Sequence, residues 1–269
     1  NKIREIEKRK TAQYLGEGIT FFLLIIAGAV FVYRAVRREL KISIQQQQFM
    51  MAITHELKTP ISVAKLNLET IQKHKLDDQQ RQRLIQNTLE ETNRLNALCN
   101  NMLLSSQIEA GGYRLIPEET NISELVAKCV QDFINRYPQQ IISMQIDPDI
   151  FIEGDRMLLQ MLVNNLIDNA IKYSIKEAPV TITLSEKDSF IHLQVKDEGK
   201  GIAPEEKERI FNKFYRTGNA ATKAAKGTGL GLFLVKKIAV QHNAYITVTD
   251  NKPSGSIFTV TLHSSLEKI

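Results

Sequence analysis

An uninterrupted apolar stretch constrains this chain more than any other feature. Residues 18–33 read GITFFLLIIAGAVFVY and contain no charged residue. At about 1.5 Å per residue this stretch spans roughly 24 Å of helix, and extension back to Tyr14 gives about 20 residues, which matches the core of a bilayer. We therefore predict a transmembrane helix over residues 14–33, with Tyr14 and Tyr33 as interfacial anchors. A buried core helix and the apolar part of a signal peptide are the alternatives.

Basic residues flank the apolar stretch on both sides, so their charge does not fix its orientation. Because the first residue is Asn1, we interpret residues 1–13 as the juxtamembrane segment of a truncated N-terminal region. Residues 34–48 are expected to form a helical signalling linker. Over the whole chain, 35 Lys and Arg stand against 30 Asp and Glu, a mixture too even for a nucleic-acid-binding surface. We therefore expect no nucleic-acid partner.

Helical periodicity continues after the linker. Apolar residues recur at spacings of three and four from Met50 to Ile71, and a second stripe runs from Leu84 to Ser105 after a short polar turn. The QQQQ before the first stripe contains no helix breaker, so the helix should continue from the membrane into this region. Two such helices form an antiparallel hairpin, and each carries more apolar surface than one partner covers. We predict a homodimer in which two hairpins form a four-helix bundle.

One histidine of the first hairpin helix points away from the apolar stripe. His55 is two residues from Ile53 and two from Leu57, about 200° around the helix axis from Ile53. Pro60 leaves the carbonyl of Glu56 without its usual helical donor and tends to bend the axis. A bend beside an exposed histidine indicates a functional segment, whereas an ordinary solvated surface histidine is the alternative.

A pair of asparagines lies in a long apolar helix of the second half. In NNLIDNAIKYS, Asn165 and Asn169 are four residues apart, and Lys172 and Tyr173 follow one turn later. Two carboxamides on one face can donate to phosphate oxygens and offer a carbonyl oxygen to a hard cation such as Mg²⁺. Lys172 can add a charge toward phosphate, and Tyr173 a ring against a base. A buried polar link between helices is the alternative interpretation of the paired asparagines.

Two glycine clusters follow the asparagine pair. The segment DEGKGI begins at Asp197, directly after a predicted strand, where a carboxylate can accept a hydrogen bond from an exocyclic amine, and Gly199 and Gly201 permit a tight turn. A plain strand-to-helix loop is the alternative. Residues 227–232, GTGLGL, bring main-chain amides and the start of a helix toward an anion. Residues 213–226, between the clusters, are rich in small and basic residues, which predicts a mobile lid.

These motifs together resemble those of membrane sensor histidine kinases of bacterial two-component systems. The stretch FMMAITHELKTPI, from Phe49 to Ile61, is similar to the H-box of that family. The order of NNLIDNAIKYS, DxGxG, a Phe pair at Phe211 and Phe214, and GTGLGL resembles its ATP-binding domain throughout. The family combines a HisKA-type phosphotransfer domain with a HATPase_c-type ATP-binding domain.

The resemblance implies an α plus α/β fold class. A transmembrane helix would lead into the dimeric four-helix bundle and then into a two-layer α/β sandwich of the Bergerat type. The domains implied are a dimerisation and histidine phosphotransfer domain over residues 49–110, a linker over residues 111–120 and a catalytic ATP-binding domain over residues 121–269.

The resemblance also implies the function, a protein-histidine kinase that uses ATP and Mg²⁺. The enzyme would phosphorylate its own histidine and pass the phosphoryl group to an aspartate in the receiver domain of a response regulator, and it would also be able to dephosphorylate that aspartate by hydrolysis. Because ATP is cytosolic, the catalytic part would lie in the cytoplasm and the chain in the inner (cytoplasmic) membrane.

Residue roles follow from the same resemblance. His55 would be the phosphoacceptor, Glu56 would hold or deprotonate its imidazole, and Thr59 would help orient water for dephosphorylation. Asn169 would be the Mg²⁺ ligand. The positions that match the family's nucleotide-binding motifs are Asn165, Asn169, Lys172, Tyr173, Asp197, Gly199, Gly201, Ile202, Arg216, Gly227, Thr228, Gly229, Leu230, Gly231 and Leu232.

Two other functions use the same nucleotide fold. Gyrase, chaperone and mismatch-repair ATPases hydrolyse ATP with a glutamate base at the position of Asn165, and an amide cannot abstract a proton from water. A Bergerat-fold ATPase is therefore less favoured than a kinase. A catalytically silent ATP-binding relay module is the second alternative, and the presence of His55, Glu56, Asn169 and Asp197 argues against it.

Overall fold

The computed structural model describes residues 2–175, 177–216 and 228–264, which fall into two compact units, residues 1–50 and 51–269. Two short 3₁₀ turns, Pro204–Glu206 and Arg209–Phe211, accompany the helices and strands. In chain order the elements are α1 (Lys2–Lys73), α2 (Asp78–Glu109), β1 (Glu118–Asn121), α3 (Ile122–Arg136), β2 (Ile142–Ile146), β3 (Phe151–Gly154), α4 (Arg156–Tyr173), β4 (Val180–Lys187), β5 (Phe190–Lys196), α5 (Gly231–Gln241), β6 (Tyr245–Asp250) and β7 (Ser256–His263).

The N-terminal unit is the first part of helix α1. Within the described residues α1 is the helix that is long and apolar enough to cross a membrane, and the apolar window is fully exposed. Phe21 and Phe31, for example, are 67% and 74% exposed. Such a surface suits lipid rather than water. As predicted, α1 runs through the four glutamines without a break.

Helices α1 and α2 form the predicted hairpin. The side chain of Asp77 caps α2 by accepting a hydrogen bond from the backbone N–H of Gln80 at 2.7 Å. Arg94 of α2 reaches Glu56 of α1, so the chain has reversed its direction. Large apolar side chains that remain exposed on the two helices include Ile61, Leu66, Leu68, Ile85, Leu89 and Leu103. They fit the predicted second copy, and the dimeric bundle stays a prediction.

The second unit contains the predicted two-layer α/β sandwich. Its five-stranded sheet has the order β2-β4-β5-β7-β6, in which only β2 and β4 are parallel. Helices α3, α4 and α5 form the second layer. In β5 the side chains alternate, with Ile191, Leu193 and Val195 fully buried, as expected for a sheet covered on one face.

Helix α4 forms the centre of this core and carries the paired asparagines. Asp155 caps its first turn, with Oδ1 accepting from the backbone N–H of Leu158 at 3.1 Å. Leu158, Leu162 and Leu166 are at most 2% exposed, and each contributes about 1.5–3 kcal/mol through burial. Their packing fixes the orientation of the opposite, polar face of α4.

The segment between the hairpin and the sandwich is tied to α4. Oδ2 of Asp155 accepts from the hydroxyl of Tyr113 at 2.9 Å and from the backbone N–H of Ile116 at 3.3 Å. Burial and the Asp155 carboxylate raise the pKa of Tyr113 to about 12. Part of the predicted linker, from Glu118 to Thr120, belongs to β1, which pairs with β3. Because this segment is polar, its sequence predicted a linker where the structure has a short edge strand.

The two cysteines should differ sharply in reactivity. Cys99 is exposed on α2, whereas Cys129 is buried in α3, where burial raises the pKa of its thiol to about 12. Because the thiolate is the reactive form, we expect a neutral-pH thiol reagent to modify Cys99 rapidly and Cys129 only after unfolding. Mass spectrometry of timed samples would measure this, and rapid native modification of Cys129 would contradict the core packing.

Candidate functional site

The predicted phosphoacceptor lies on an accessible helical surface. The His55 side chain is exposed, as its position opposite Ile53 predicts, while Ile53 itself is buried. Thr59 lies one turn later and is also exposed, and its Oγ1 donates to the backbone carbonyl of His55 at 3.2 Å. Glu56 is different, because only 16% of its side chain is exposed. The histidine ring can therefore meet a large substrate while the adjacent acid is held in the protein.

Asp197 has the geometry of a base reader. It lies directly after β5 and is 3% exposed. Its Oδ1 accepts from the backbone N–H groups of Gly199 at 2.8 Å and Ser256 at 3.3 Å. Among the described residues, no hydrogen bond to Oδ2 is recorded. Burial raises the pKa of Asp197, and the two backbone donors oppose this shift. One carboxylate oxygen is thus fixed by the backbone, and the other is available for an amine donor.

The glycines after Asp197 bring this loop against the end of α4. Ser174 and Gly199 form an isolated antiparallel bridge. A Cβ on Gly199 would overlap the backbone carbonyl oxygen of Tyr173 and lie 2.8 Å from Oδ1 of Asp197. Gly201 has a φ of +72°, in the left-handed region that favours glycine, and Ile202 next to it is half-buried. The tight turn predicted here is therefore present, and it brings the backbone close to the end of α4.

The two asparagines of α4 differ in their surroundings. Nδ2 of Asn165 donates to the carbonyl of Met161 at 2.8 Å, and its Oδ1 accepts from Nδ2 of Asn101 in α2 at 3.4 Å. Asn165 thus acts as a polar link between helices in this structure, which is the alternative that the sequence left open. Asn169 is half-buried. For both residues, nucleotide binding stays a prediction.

Cationic side chains lie near the C-terminal end of α4. Nζ of Lys172 lies 5.2 Å from the centre of the Tyr173 ring, and desolvation lowers the pKa of Lys172 although part of its side chain is exposed. Burial raises the pKa of Tyr173, and the positive charge of Arg216 opposes that shift. Arg216 therefore lies within electrostatic range of the α4 end, near the residues that the sequence assigned to the nucleotide.

The second glycine cluster is held between Asn165 and the Phe pair. Gly229 has a φ of +70°, and its carbonyl accepts from the backbone N–H of Phe214 at 3.0 Å. Gly231 begins α5, and a Cβ there would lie 3.0 Å from Oδ1 of Asn165. Gly227 and residues 217–226 of the predicted lid lie outside the described residues.

The start of α5 suits an anion. Leu230 is its N-cap residue and forms no side-chain cap, and Oγ1 of Thr228 accepts from the Leu230 N–H at 3.4 Å. Among the described residues, the first backbone N–H groups of this helix therefore have no side-chain cap. Such N–H groups together with the helix dipole favour phosphate. Phosphate binding at the glycine loop and base binding at Asp197 stay predictions.

The donor set also fits Mg²⁺ carried by a nucleotide. Among the described residues, no group of three or more His, Cys, Asp or Glu side chains could hold a metal ion. Mg²⁺ needs no such cage, because it keeps several waters and binds phosphate oxygens with one or two protein ligands. The half-buried carboxamide of Asn169 can supply one oxygen.

Sequence reasoning missed three residues of α2 that contact this region. Arg94 pairs with Glu56, Asn101 donates to Asn165, and Glu109 pairs with Lys213 near the Phe pair. They are spaced seven and eight residues apart, which places them on one face of α2. Leu104, near the same face, is 4% exposed where α2 meets α5. The spacing of these three residues could have indicated a shared contact face. It did not suffice, because charged residues on a hairpin helix usually face water.

Gly199→Ala tests the close approach beside Asp197. The added methyl group must separate the loop from the Tyr173 carbonyl, so we expect nucleotide affinity to fall roughly 10-fold and stability by about 2 kcal/mol. Nucleotide titration and denaturant unfolding measure the two effects. Gly112→Ala is the matched control, since a Cβ there would meet only the Gln107 carbonyl oxygen at 3.8 Å. If Gly199→Ala and Gly112→Ala had the same nucleotide affinity and the same stability, the close contact between Gly199 and the Tyr173 carbonyl would be wrong.

Comparison with known families gives two matches. The family described as "His Kinase A (phospho-acceptor) domain" matches residues 45–111. The family described as "Histidine kinase-, DNA gyrase B-, and HSP90-like ATPase" matches residues 154–266. The first match contains His55, and the second contains Asn165, Asp197 and the glycine loop.

Individual proteins agree with the two families. The chain is 31% identical over 228 residues to the sensor-like histidine kinase SenX3 of Mycobacterium tuberculosis, covering 82% of this chain and 55% of that protein. It is 31% identical over 261 residues to the sensor protein CiaH of Streptococcus pneumoniae, covering 90% and 55%. The chain thus spans about half the length of these curated relatives. The solved histidine kinase AdeS of Acinetobacter baumannii is similar with a TM-score of 0.55 at 27% identity, covering 78% of this chain and 98% of that one.

Proposed function

Because this chain belongs to the family of two-component sensor histidine kinases, we propose that it phosphorylates its own His55 with ATP and passes the phosphoryl group to a response regulator. The observation that carries this proposal is an exposed histidine beside a largely buried acid, in one compact unit with a buried aspartate held by backbone N–H groups and a glycine loop at the start of α5. An ATPase would need no such histidine.

ATP binding would use three parts of the second unit. Oδ2 of Asp197 would accept from the exocyclic amine of adenine, with Gly199, Gly201 and Ile202 shaping the base pocket beside Tyr173. The loop of Thr228, Gly229, Leu230, Gly231 and Leu232 would bind phosphate through backbone N–H groups. The cationic side chains of Lys172 and Arg216 would add positive charge, and Gly227 is proposed to belong to the same loop.

Asn165 and Asn169 have different proposed roles. Asn169 would provide the protein oxygen for Mg²⁺, an ion that neutralises developing charge on phosphate oxygens when it is bound. Asn165 would contact the nucleotide once it is released from Asn101. The same pair of side chains thus gives α4 a ligand-facing surface.

The transfer step needs one nucleophile and one proton acceptor. A neutral ring nitrogen of His55 would attack the γ-phosphorus of ATP, so that an N–P bond forms, the bond to the β,γ-bridging oxygen breaks, and ADP leaves. The proton on the other ring nitrogen would pass to the carboxylate of Glu56. The phosphoryl group would then move from His55 to an aspartate of a receiver domain. Thr59, exposed one turn away, would orient water when that aspartyl phosphate is hydrolysed.

The partners follow from the exposed surfaces and the chemistry. The apolar side chains left uncovered on the hairpin would pack against a second copy and complete a four-helix bundle. The apolar part of α1 would cross the inner (cytoplasmic) membrane, and everything after Tyr33 would lie in the cytoplasm, where ATP is present.

Incubation of the full chain with γ-labelled ATP and Mg²⁺ tests the proposal directly. We expect label on the protein that is labile in acid and stable in alkali, as a phosphohistidine is. Steady phosphate release without protein-bound label would instead favour an ATPase. Nucleotide binding with neither label nor release would indicate a relay module.

A further inference from the structure

Glu56, the acid beside the proposed phosphoacceptor, is contacted by an arginine of the other hairpin helix. Its Oε2 lies 3.4 Å from Nη2 of Arg94, which comes 38 residues later in the chain. The side chain of Glu56 is 16% exposed and that of Arg94 is 54% exposed. The acid is thus held in the protein, and the cation reaches it from the solvent side.

The hairpin register makes this contact a consequence of the fold. Glu56 lies 17 residues before the end of α1 at Lys73, and Arg94 lies 16 residues after the start of α2 at Asp78. In an antiparallel hairpin, residues at equal distances from the turn lie opposite each other. The pair is therefore set by helix length and does not depend on a flexible loop.

Charged groups of a third helix lie within electrostatic range of this ion pair. Desolvation raises the pKa of Asp168 in α4, although part of its side chain is exposed; the positive charges of Lys172 and Arg94 oppose this shift, and the negative charge of Glu56 adds to it. Desolvation lowers the pKa of Lys172; the charge of Glu56 opposes this shift, and that of Arg94 adds to it. Asp168 and Lys172 of α4 thus interact with Glu56 through their charges, whereas Arg94 is in direct contact with it.

We propose that Arg94 is a positioning residue for phosphoryl transfer, which holds the Glu56 carboxylate in its orientation beside His55. The inference rests on the proposed kinase activity. An exposed ion pair adds little to stability, but here the acid is largely buried and adjacent to the proposed nucleophile. A carboxylate that an ion pair holds in place is oriented to accept the proton from the His55 ring. No bond to Arg94 is made or broken during transfer.

Two substitutions separate positioning from mere structural support. Arg94→Met removes the charge and keeps a long side chain, whereas Arg94→Lys keeps the charge. We expect Arg94→Met to slow His55 labelling roughly 10-fold at saturating ATP, with the KM for ATP within about two-fold of wild type. Arg94→Lys should restore most of the rate.

The experiment uses the full chain in lipid nanodiscs, with initial labelling rates measured over a range of ATP concentrations. Lys73→Met is the matched control, since it removes another hairpin ion pair, 3.6 Å long, to Glu69. Wild-type behaviour of Arg94→Met would overturn the inference, and so would equal inactivity of the Met and Lys variants. Absence of label on the wild-type chain would overturn the kinase proposal instead.

Discussion

His55→Gln should abolish ATP-dependent labelling of the protein while leaving ATP binding intact. Glutamine matches the length and polarity of histidine, but its amide nitrogen is not nucleophilic near neutral pH. We therefore expect protein-bound label to fall to background, roughly a thousand-fold or more, because the chain would lack the acceptor atom. Protein-bound label that survives alkaline treatment and is lost on acid treatment measures the change.

A second exposed histidine, just beyond the end of the same helix, provides the control. His74 follows α1 directly and is exposed like His55, but it lies outside the FMMAITHELKTPI segment. His74→Gln should label as wild type does, and nucleotide titration should give the same affinity for all three proteins. If His55→Gln retained the label, another residue would be the acceptor and the proposed role of His55 would be wrong.

The fold was predictable from the sequence where side chains repeat. Spacings of three and four indicated α1 and α2, and alternating residues before Asp197, from Phe190 to Val195, indicated a strand, which is β5 in the structure. The α plus α/β fold class that the resemblance implied is confirmed. The strand β1 was not predicted, because four residues, EETN, pair with β3 through backbone groups, and their side chains carry no periodic pattern.

The candidate site was predictable where the backbone imposes a residue type. Gly199 and Gly229 are required by close approaches to Tyr173 and Phe214, so DxGxG and GTGLGL indicated real turns. Contacts between helices that are far apart in the sequence were harder to predict. The local sequence did not indicate that Asn165 would contact Asn101 or that Arg94 would contact Glu56. Such pairs depend on helix packing and register, which a single sequence does not display.

Asp197→Asn should weaken ATP binding strongly and change which base is preferred. Because Oδ1 of the new amide can still accept from the N–H groups of Gly199 and Ser256, we expect the fold to be retained. The second oxygen would be replaced by an amino group, which donates and so opposes the exocyclic amine of adenine. Loss of a hydrogen bond to a charged acceptor and introduction of two facing donors should cost roughly 10- to 100-fold in ATP affinity.

The same change should favour guanine, whose corresponding group is a carbonyl oxygen that accepts a hydrogen bond. We therefore expect the ratio of ATP to GTP affinity to fall in the variant, beyond the loss for ATP alone. Titration of both nucleotides against wild type and Asp197→Asn measures this ratio. Asp188→Asn, in the exposed turn between β4 and β5, is the control, since Asp188 has a φ of 51°, a conformation that asparagine also adopts. An unchanged ratio with weakened binding of both nucleotides would show that Asp197 supports the loop without reading the base.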